Sequence, residues 1–297
     1  MRNPESAFLC DLSKKLEEEK LKLEEEKLKR ALSSRAEEVF TVNPPLNPRE
    51  FKGVVGFKDE DIARDVTYTS RMEQVFNEES TPEQKELKKF AKILEAMLNE
   101  LIELYDWLGP DATTITTSDF DDIKNGVDII AEFQDEEEKS ASHLALAVDV
   151  TFARDVSDKF ERIKREIERG ELTRVKYFKS GFLEQMDTLT DVPRVIIGAD
   201  VDSIKSLGKL WLAKDKKALA VHEMQKVVLE EIRGQLEVFA KYAHAQRQES
   251  VAKIYEKTLH IIQDILQDKH DIPIKALRED RVFGAITREV SRLEREV

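Results

Sequence analysis

Two short apolar runs, Val127–Phe133 and Leu144–Phe152, stand out in the middle of this chain. Both have the length of a strand and are rich in β-branched residues, and a polar, acid-rich loop separates them, which is the pattern of a β-hairpin. Successive side chains of a strand point to opposite faces, so each run has a largely apolar face. Matching these faces predicts a register in which Phe133 lies opposite Leu144.

The same register sets Asp128 directly opposite Asp149. Like charges that face each other across a strand pair are destabilising, so this pair calls for a compensating cation. Magnesium is commonly held by one or two carboxylates together with water and substrate phosphate. We therefore expect Asp128 and Asp149 to form a metal site, the alternative being that both aspartates cap strand ends at the solvent edge.

A long charged helix is predicted from about Leu12 to Val39. Its leucines form two stripes that diverge around the helix. One stripe contains Leu9, Leu12, Leu16 and Leu23, and the other contains Leu21, Leu28, Leu32 and Val39. A strict two-stranded coiled coil keeps a single seam, and this segment does not. A short dimer and packing on the body of the protein both stay open, and we expect an arm that packs against a partner or its own domain.

Helix and strand patterns continue along the rest of the chain. Ser80 or Thr81 followed by Pro82 is a strong helix start, and this helix runs to about Leu108, before Gly109. Further strands are predicted at Ala112–Thr117, Leu172–Phe178 and Val192–Ala199, and further helices at 59–79, 157–168, 201–212, 218–243, 249–267 and 282–296.

The central elements follow the order helix, strand, strand, strand, helix, strand. They begin at Thr81, Ala112, Val127, Leu144, Ser157 and Leu172. This order predicts an α/β fold with a mixed sheet, preceded by the charged helix and followed by a helical C-terminal region. We predict three segments: an arm with a Pro-rich connector (1–48), the α/β core (49–212) and the helical region (213–297).

Composition and charge restrict the function. Charged residues make up 37% of the 297 residues, and the formal net charge is -13. Such acidity argues against broad, non-specific affinity for nucleic acid, but it is compatible with a local basic groove. Basic clusters at Arg154–Lys179 and Lys205–Lys217 are candidates for phosphate contacts, or alternatively solvated helix faces.

The cysteine and histidine content argues against several other classes of site. Cys10 is the only cysteine, so no intrachain disulfide forms and we expect a cytoplasmic protein. No apolar stretch approaches membrane-spanning length and no signal core follows the first residues. His222 has no second ligand at metal spacing, and we expect it to cap a helix or bond at the surface rather than bind zinc.

The order of elements, together with the two aspartates, resembles the PD-(D/E)xK nuclease superfamily over roughly Pro82 to Phe178. That family has a restriction-endonuclease-like α-β-β-β-α-β core, with one acid at the start of the second strand and an acid-x-Lys motif on the third. Asp128 in NGVD takes the first place, and Asp149-Val150-Thr151 takes the second. Thr151 stands where the family has lysine, so the resemblance implies a displaced lysine, Lys159 or Lys176.

The resemblance also implies a third acid on the first helix, for which Glu100 and Glu103 are the candidates. The implied activity is that of a metal-dependent phosphodiesterase, using Mg²⁺ or Mn²⁺ to cleave DNA or RNA. The alternative is a catalytically inactive, nuclease-like scaffold or interaction protein that assembles through its charged helices.

Overall fold

A computed structural model describes residues 4–135, 140–149, 154–183, 185–274 and 280–297 of the chain. The helices are α1 (Pro4–Val42), α2 (Asp59–Glu79), α3 (Pro82–Tyr105), α4 (Asp119–Asn125), α5 (Arg154–Glu168), α6 (Val201–Ala213), α7 (Lys216–Ala220), α8 (Glu223–Ala245), α9 (Glu249–Asp268) and α10 (Arg281–Leu293). The strands are β1 (Ala112–Thr116), β2 (Ile129–Asp135), β3 (Ser140–Asp149), β4 (Thr173–Lys179), β5 (Met186–Val192) and β6 (Arg194–Gly198). The fold is mixed α/β, with helices at both ends of the chain, as predicted.

A four-stranded mixed sheet has the order β1-β2-β3-β6. Strand β2 runs antiparallel to both of its neighbours, and β6 runs parallel to β3. Every residue of β6 is buried, which confirms the prediction that the run Val192–Ala199 contains a strand covered on both faces.

The predicted strand Leu172–Phe178 does not join this sheet. It forms β4, which pairs with β5 in a separate two-stranded sheet. The exposed Arg174 and Lys179 on β4 suit a half-solvated hairpin rather than the sheet interior. The predicted strand is thus confirmed as a strand, but its expected place in the main sheet was wrong, because the strand that follows α5 in that sheet is β6.

The predicted register between β2 and β3 is also wrong. Ile129 pairs with Leu146, and Phe133 pairs with Ser142 rather than Leu144. The reason is that β3 begins at Ser140, so its polar first residues take part in the pairing. A slip of two residues keeps every side chain on its face, but Asp128 no longer lies opposite Asp149.

The second half of α1 packs against α3 and α6. Leu32, Ala36 and Val39 are buried there, so this half of the arm packs on its own domain, one of the two expected arrangements. Leu16 and Leu23, from the other stripe, are 59% and 56% exposed. Assembly through that exposed part stays a prediction.

The C-terminal helices complete the covering of the sheet. Helix α8 lies against β6, and one hydrophobic cluster contains Leu32 of α1, Leu146 of β3 and Leu293 of α10. The helix predicted over 218–243 is in fact two helices: α7 ends at Ala220, with Val221 as its C-cap, and His222 caps the start of α8. Its Nδ1 accepts the Met224 N–H, which confirms the expected capping role.

Within the described ranges, no helix is at once long enough and apolar enough to cross a membrane.

Candidate functional site

Charged side chains from α3, α4 and the start of β2 converge at one end of the sheet. The Lys92 ammonium nitrogen lies 2.7 Å from Oε2 of Glu95, one turn further along α3. The same nitrogen lies 3.8 Å from Oδ2 of Asp122 on α4. The Asp128 carboxylate interacts electrostatically with both Lys92 and Asp122. We call Glu95, Asp122 and Asp128 the carboxylate cluster.

Local sequence explains why these groups meet. The Thr81 hydroxyl and the Gln84 side chain cap the start of α3 reciprocally, at the helix start predicted around Ser80 and Thr81, and this fixes the helix that carries Lys92 and Glu95. The Ser118 hydroxyl accepts the Asp121 N–H and caps α4. Gly126 ends α4 with a φ of 65°, a left-handed conformation that glycine adopts without strain.

This turn places Asp122 and Asp128 close together in space. The Thr117 N–H then donates to the Asp128 carbonyl at 3.1 Å, and the Asp128 N–H donates to the Leu146 carbonyl at 3.1 Å. The backbone of Asp128, directly before β2, is therefore hydrogen-bonded on both sides, to Thr117 after β1 and to Leu146 of β3.

Burial disfavours the charged forms of the acids in the cluster. Burial raises the pKa of Glu95, whose side chain is only 3% exposed. Burial and the charge of Asp128 together raise the pKa of Asp122 to about 7. Burial alone would lower the pKa of Lys92, but Glu95 and Asp122 outweigh it and raise that pKa. A further cation would thus be stabilised beside these carboxylates.

Two of the predicted site residues belong to this region. Asp128 is a member of the cluster, and the positive charge of Lys159, on α5, acts on Glu95. Asp149 ends β3, where its backbone pairs with Gly198 of the parallel strand β6. Continuing the β2–β3 ladder by one position sets Asp128 level with Ala147, two residues before Asp149. The side chain of Asp149, and Thr151 as a whole, lie outside the described part of the chain.

The structure places the other predicted residues elsewhere. Lys176 pairs with Asp65 of α2 and lies over the ring of Phe120. The carboxylate of Glu103 accepts hydrogen bonds from the backbone and hydroxyl of Thr114.

The carboxylate of Glu100 pairs with Arg35 and accepts the indole N–H of Trp211. On α3 the acid of the cluster is thus Glu95, which pairs with Lys92 and feels the charge of Asp122; it is not among the acids predicted from the sequence. An acid within the apolar face of a helix, flanked by Leu94 and Ala96, is the signal that would have found it.

The two basic clusters seen in the sequence differ in their surroundings. Arg162, Arg165, Arg169 and Arg174 line one cavity of about 420 Å³. Arg162 is partly neutralised there by Glu166, 3.5 Å away. In the second cluster Lys205 reaches Glu25 of α1 at 3.0 Å.

Asp122 and Asp128 carry the type of oxygen donor that a hard divalent cation prefers. Mg²⁺ and Mn²⁺ prefer carboxylate oxygens and keep several waters, and the mutual repulsion of Asp122 and Asp128 would be relieved by such an ion. Among the residues with described side chains, no three histidine, cysteine or acidic groups lie close enough together to hold a metal. The Asp149 side chain is outside that set, so Asp128 with Asp149 stays the predicted ligand pair.

Comparison with known protein-family models, curated proteins and solved structures finds no match for this chain.

Proposed function

We propose that this protein is a divalent-metal-dependent phosphodiesterase of the PD-(D/E)xK type that cleaves nucleic acid. The observation that carries the proposal is the convergence of Glu95, Asp122, Asp128 and the charge of Lys159 at the end of the sheet where β3 finishes with Asp149. Metal-assisted phosphoryl transfer uses carboxylates that hold the ion at an open site, and a nearby lysine adds positive charge where negative charge develops.

The order of elements supports the same proposal. Helix α3, strands β1, β2 and β3, helix α5 and strand β6 follow one another in the α-β-β-β-α-β order of that superfamily. Helix α4 and the β4–β5 hairpin are insertions between these elements. Asp128 directly precedes β2 and Asp149 ends β3, which are the places of the family's two acids.

Each residue then has a distinct task. Asp128 and Asp149 would hold Mg²⁺ or Mn²⁺, and the ion supplies Lewis acidity toward the scissile phosphate and lowers the pKa of bound water. Glu95 takes the place of the helix acid and is fixed by Lys92. Thr151 stands where the family has a lysine, and Lys159 takes over that role: it orients water or stabilises the charge that develops on the phosphate.

Cleavage of a fluorescent oligonucleotide with Mg²⁺ or Mn²⁺ tests the proposal. Asp128→Asn and Asp149→Asn should abolish cleavage and Mn²⁺ binding by calorimetry while leaving the circular dichroism spectrum intact. Lys159→Gln should lower the rate by about 100-fold. Asp119→Asn is the matched control, since Asp119 is an exposed acid on α4. Full activity in both aspartate variants would overturn the assignment.

A second candidate is an interaction protein that assembles through the first half of α1. Leu16 and Leu23, which share one stripe of the helix, are exposed there at 59% and 56%, and exposed apolar stripes of this kind mark interaction sites. Leu16→Glu with Leu23→Glu should then reduce the oligomeric state in light scattering. Removing α1 altogether is a poorer test, because Leu32 belongs to the core.

A further inference from the structure

A groove runs between α1 and α3, on the side of the molecule that leads to the carboxylate cluster. Its volume is about 850 Å³. Its lining includes six basic side chains, Lys29, Arg30, Lys85, Lys88, Lys89 and Lys92, and two acidic ones, Glu26 and Glu37. In a chain of net charge -13, this is a local concentration of positive charge, and such patches attract polyanions.

Much of that positive charge is available to a ligand. Lys29 is paired with Glu86 at 2.5 Å, and Lys92 is paired within the candidate site. Arg30, Lys85 and Lys89 are exposed, and none of them forms an ion pair with any residue that the structure describes. Groups without a protein counterion lose least when they bind phosphate.

The groove is directed at the candidate site. Lys85, Lys88 and Lys92 follow one another at helical spacings of three and four residues, so they lie on one face of α3. Glu95 continues the same stripe. The span from Lys85 to Lys92 is about 10 Å at 1.5 Å per residue.

Lys88 and Lys92 connect the groove to the cluster. The Lys92 ammonium lies 3.8 Å from Oδ2 of Asp122, and the positive charge of Lys88 also acts on Asp122. Lys92 is at once a wall of the groove and the partner of Glu95. An anionic strand that follows these lysines along α3 would therefore arrive beside the carboxylates.

We propose that the α1–α3 groove binds the backbone of single-stranded nucleic acid and guides it to the carboxylate cluster. The proposal rests on the proposed function for the identity of the ligand. The groove volume of about 850 Å³ has room for a few nucleotides of one strand rather than for a duplex. The half-buried Phe40 in its lining offers an aromatic surface for a base, as in other single-strand sites.

The test is binding without metal, so that cleavage does not enter. A fluorescent single strand of about 20 nucleotides, as DNA and as RNA, and a duplex of the same length are titrated in EDTA at about 50 to 200 mM salt. The test variant is Lys85→Gln with Lys89→Gln. Its control is Lys253→Gln with Lys257→Gln, two exposed lysines at the same spacing on α9.

We expect the single strand to bind more tightly than the duplex. The slope of log affinity against log salt should fall in magnitude by about 1.4 in the test variant, 0.7 for each lost phosphate contact on a single strand. The control should keep the wild-type slope. Equal slopes in all three proteins, absence of single-strand binding, or tighter binding of the duplex would each overturn the inference.

The outcomes also separate this inference from the proposed function. If the salt slope falls in the Lys85→Gln, Lys89→Gln variant but the protein cleaves no oligonucleotide, the result supports binding in the groove and contradicts the proposed nuclease activity. If cleavage depends on Asp128 but binding is unaffected by Lys85→Gln with Lys89→Gln, the result supports the proposed nuclease activity and contradicts binding in the groove. Similar affinity for DNA and RNA supports recognition through phosphate, whereas binding of RNA alone supports it with contacts to the 2′-hydroxyl.

Discussion

The Lys92 ammonium lies 2.7 Å from the Glu95 carboxylate, yet the two partners are solvated very differently. The Glu95 side chain is 3% exposed, whereas that of Lys92 is 42% exposed. Removing one partner of a buried pair leaves the other charge uncompensated. Without Lys92, the buried Glu95 carboxylate has no compensating charge, whereas without Glu95 the Lys92 ammonium is still solvated by water.

We expect Lys92→Met to lower the free energy of unfolding by about 3 kcal/mol near neutral pH. Glu95→Gln should cost about 1 kcal/mol. Because burial raises the pKa of Glu95 in the folded protein, the folded state binds more protons, and the loss in Lys92→Met should shrink as the pH falls toward 5. Urea unfolding across this range measures both effects.

Lys89→Met serves as the control for the Lys92 variant, because Lys89 is an exposed lysine on the same helix. Equal losses in Lys89→Met and Lys92→Met, or a larger loss in Glu95→Gln, would contradict the asymmetry.

The second prediction concerns the pH dependence contributed by Asp122. Burial and Asp128 raise its pKa from the ordinary 3.8 to about 7. A raised folded-state value means that this carboxyl disfavours folding as the pH rises from about 4 to 7. Asp122→Asn should therefore stabilise the protein at about pH 8 and leave it unchanged below pH 4.

The expected gain at the higher pH is about 1–2 kcal/mol. It stays below the full value of the shift because the Asp122 side chain is 36% exposed, so solvent screens its charge. Thermal unfolding in EDTA is the measurement, with Asp264→Asn, an exposed acid on α9, as the control. A stabilisation of the same size at every pH would show that the charge of Asp122 is not its cause.

Much of the fold follows from local sequence. The helix Asp59–Glu79, the capping box at Thr81 and the buried run that became β6 depend on residues within one element. The β2–β3 register depends on more than the pattern. The alternation of polar and apolar residues fixes only which residues share a face, so two registers that differ by two residues fit the pattern equally well. In the structure the polar Ser140 and Ser142 take part in the pairing, which gives the observed register.

The candidate site was only partly accessible to the same reasoning. Asp128 could be found from its place at the start of a strand. Glu95, Glu100 and Glu103 are all acids of one helix, and tertiary partners decide among them: Arg35 holds Glu100, for example. The α1–α3 groove was missed because its lysines and Arg30 come from distant segments, where neighbouring glutamates hide them in the linear sequence.

The third prediction concerns the outer edge of β6. The Gln235 side chain, from α8, accepts the Ile196 N–H at 2.9 Å and donates to the Ile196 carbonyl at 2.6 Å. It thus replaces a missing strand neighbour. Gln235→Leu keeps the volume but leaves two buried backbone groups unpaired, which should cost about 2–5 kcal/mol. Chemical denaturation, with the exposed Gln263→Leu as control, measures it; a loss under 1 kcal/mol would show that water satisfies this edge.

The last prediction tests the packing of α1 on α6. A methyl group at Gly208 would lie 2.5 Å from Cδ2 of Leu32, which is fully buried. Alanine in place of glycine favours a helix by about 0.5–1 kcal/mol, but overpacking a core costs about 1–3 kcal/mol. Gly208→Ala should therefore destabilise the protein, by about 1–2 kcal/mol.

Gly234→Ala, in α8, provides the opposite case. There the nearest atom to the added methyl group is Cγ1 of Val290 at 3.9 Å, an ordinary contact, so the helix preference should dominate and stabilise the protein. With Leu32→Ala already present, Gly208→Ala should also become stabilising, because the added methyl group enters the space that leucine vacated. Thermal unfolding of the four proteins in this cycle decides the matter. A gain in stability from Gly208→Ala alone would mean that α1 does not press on α6 at this point.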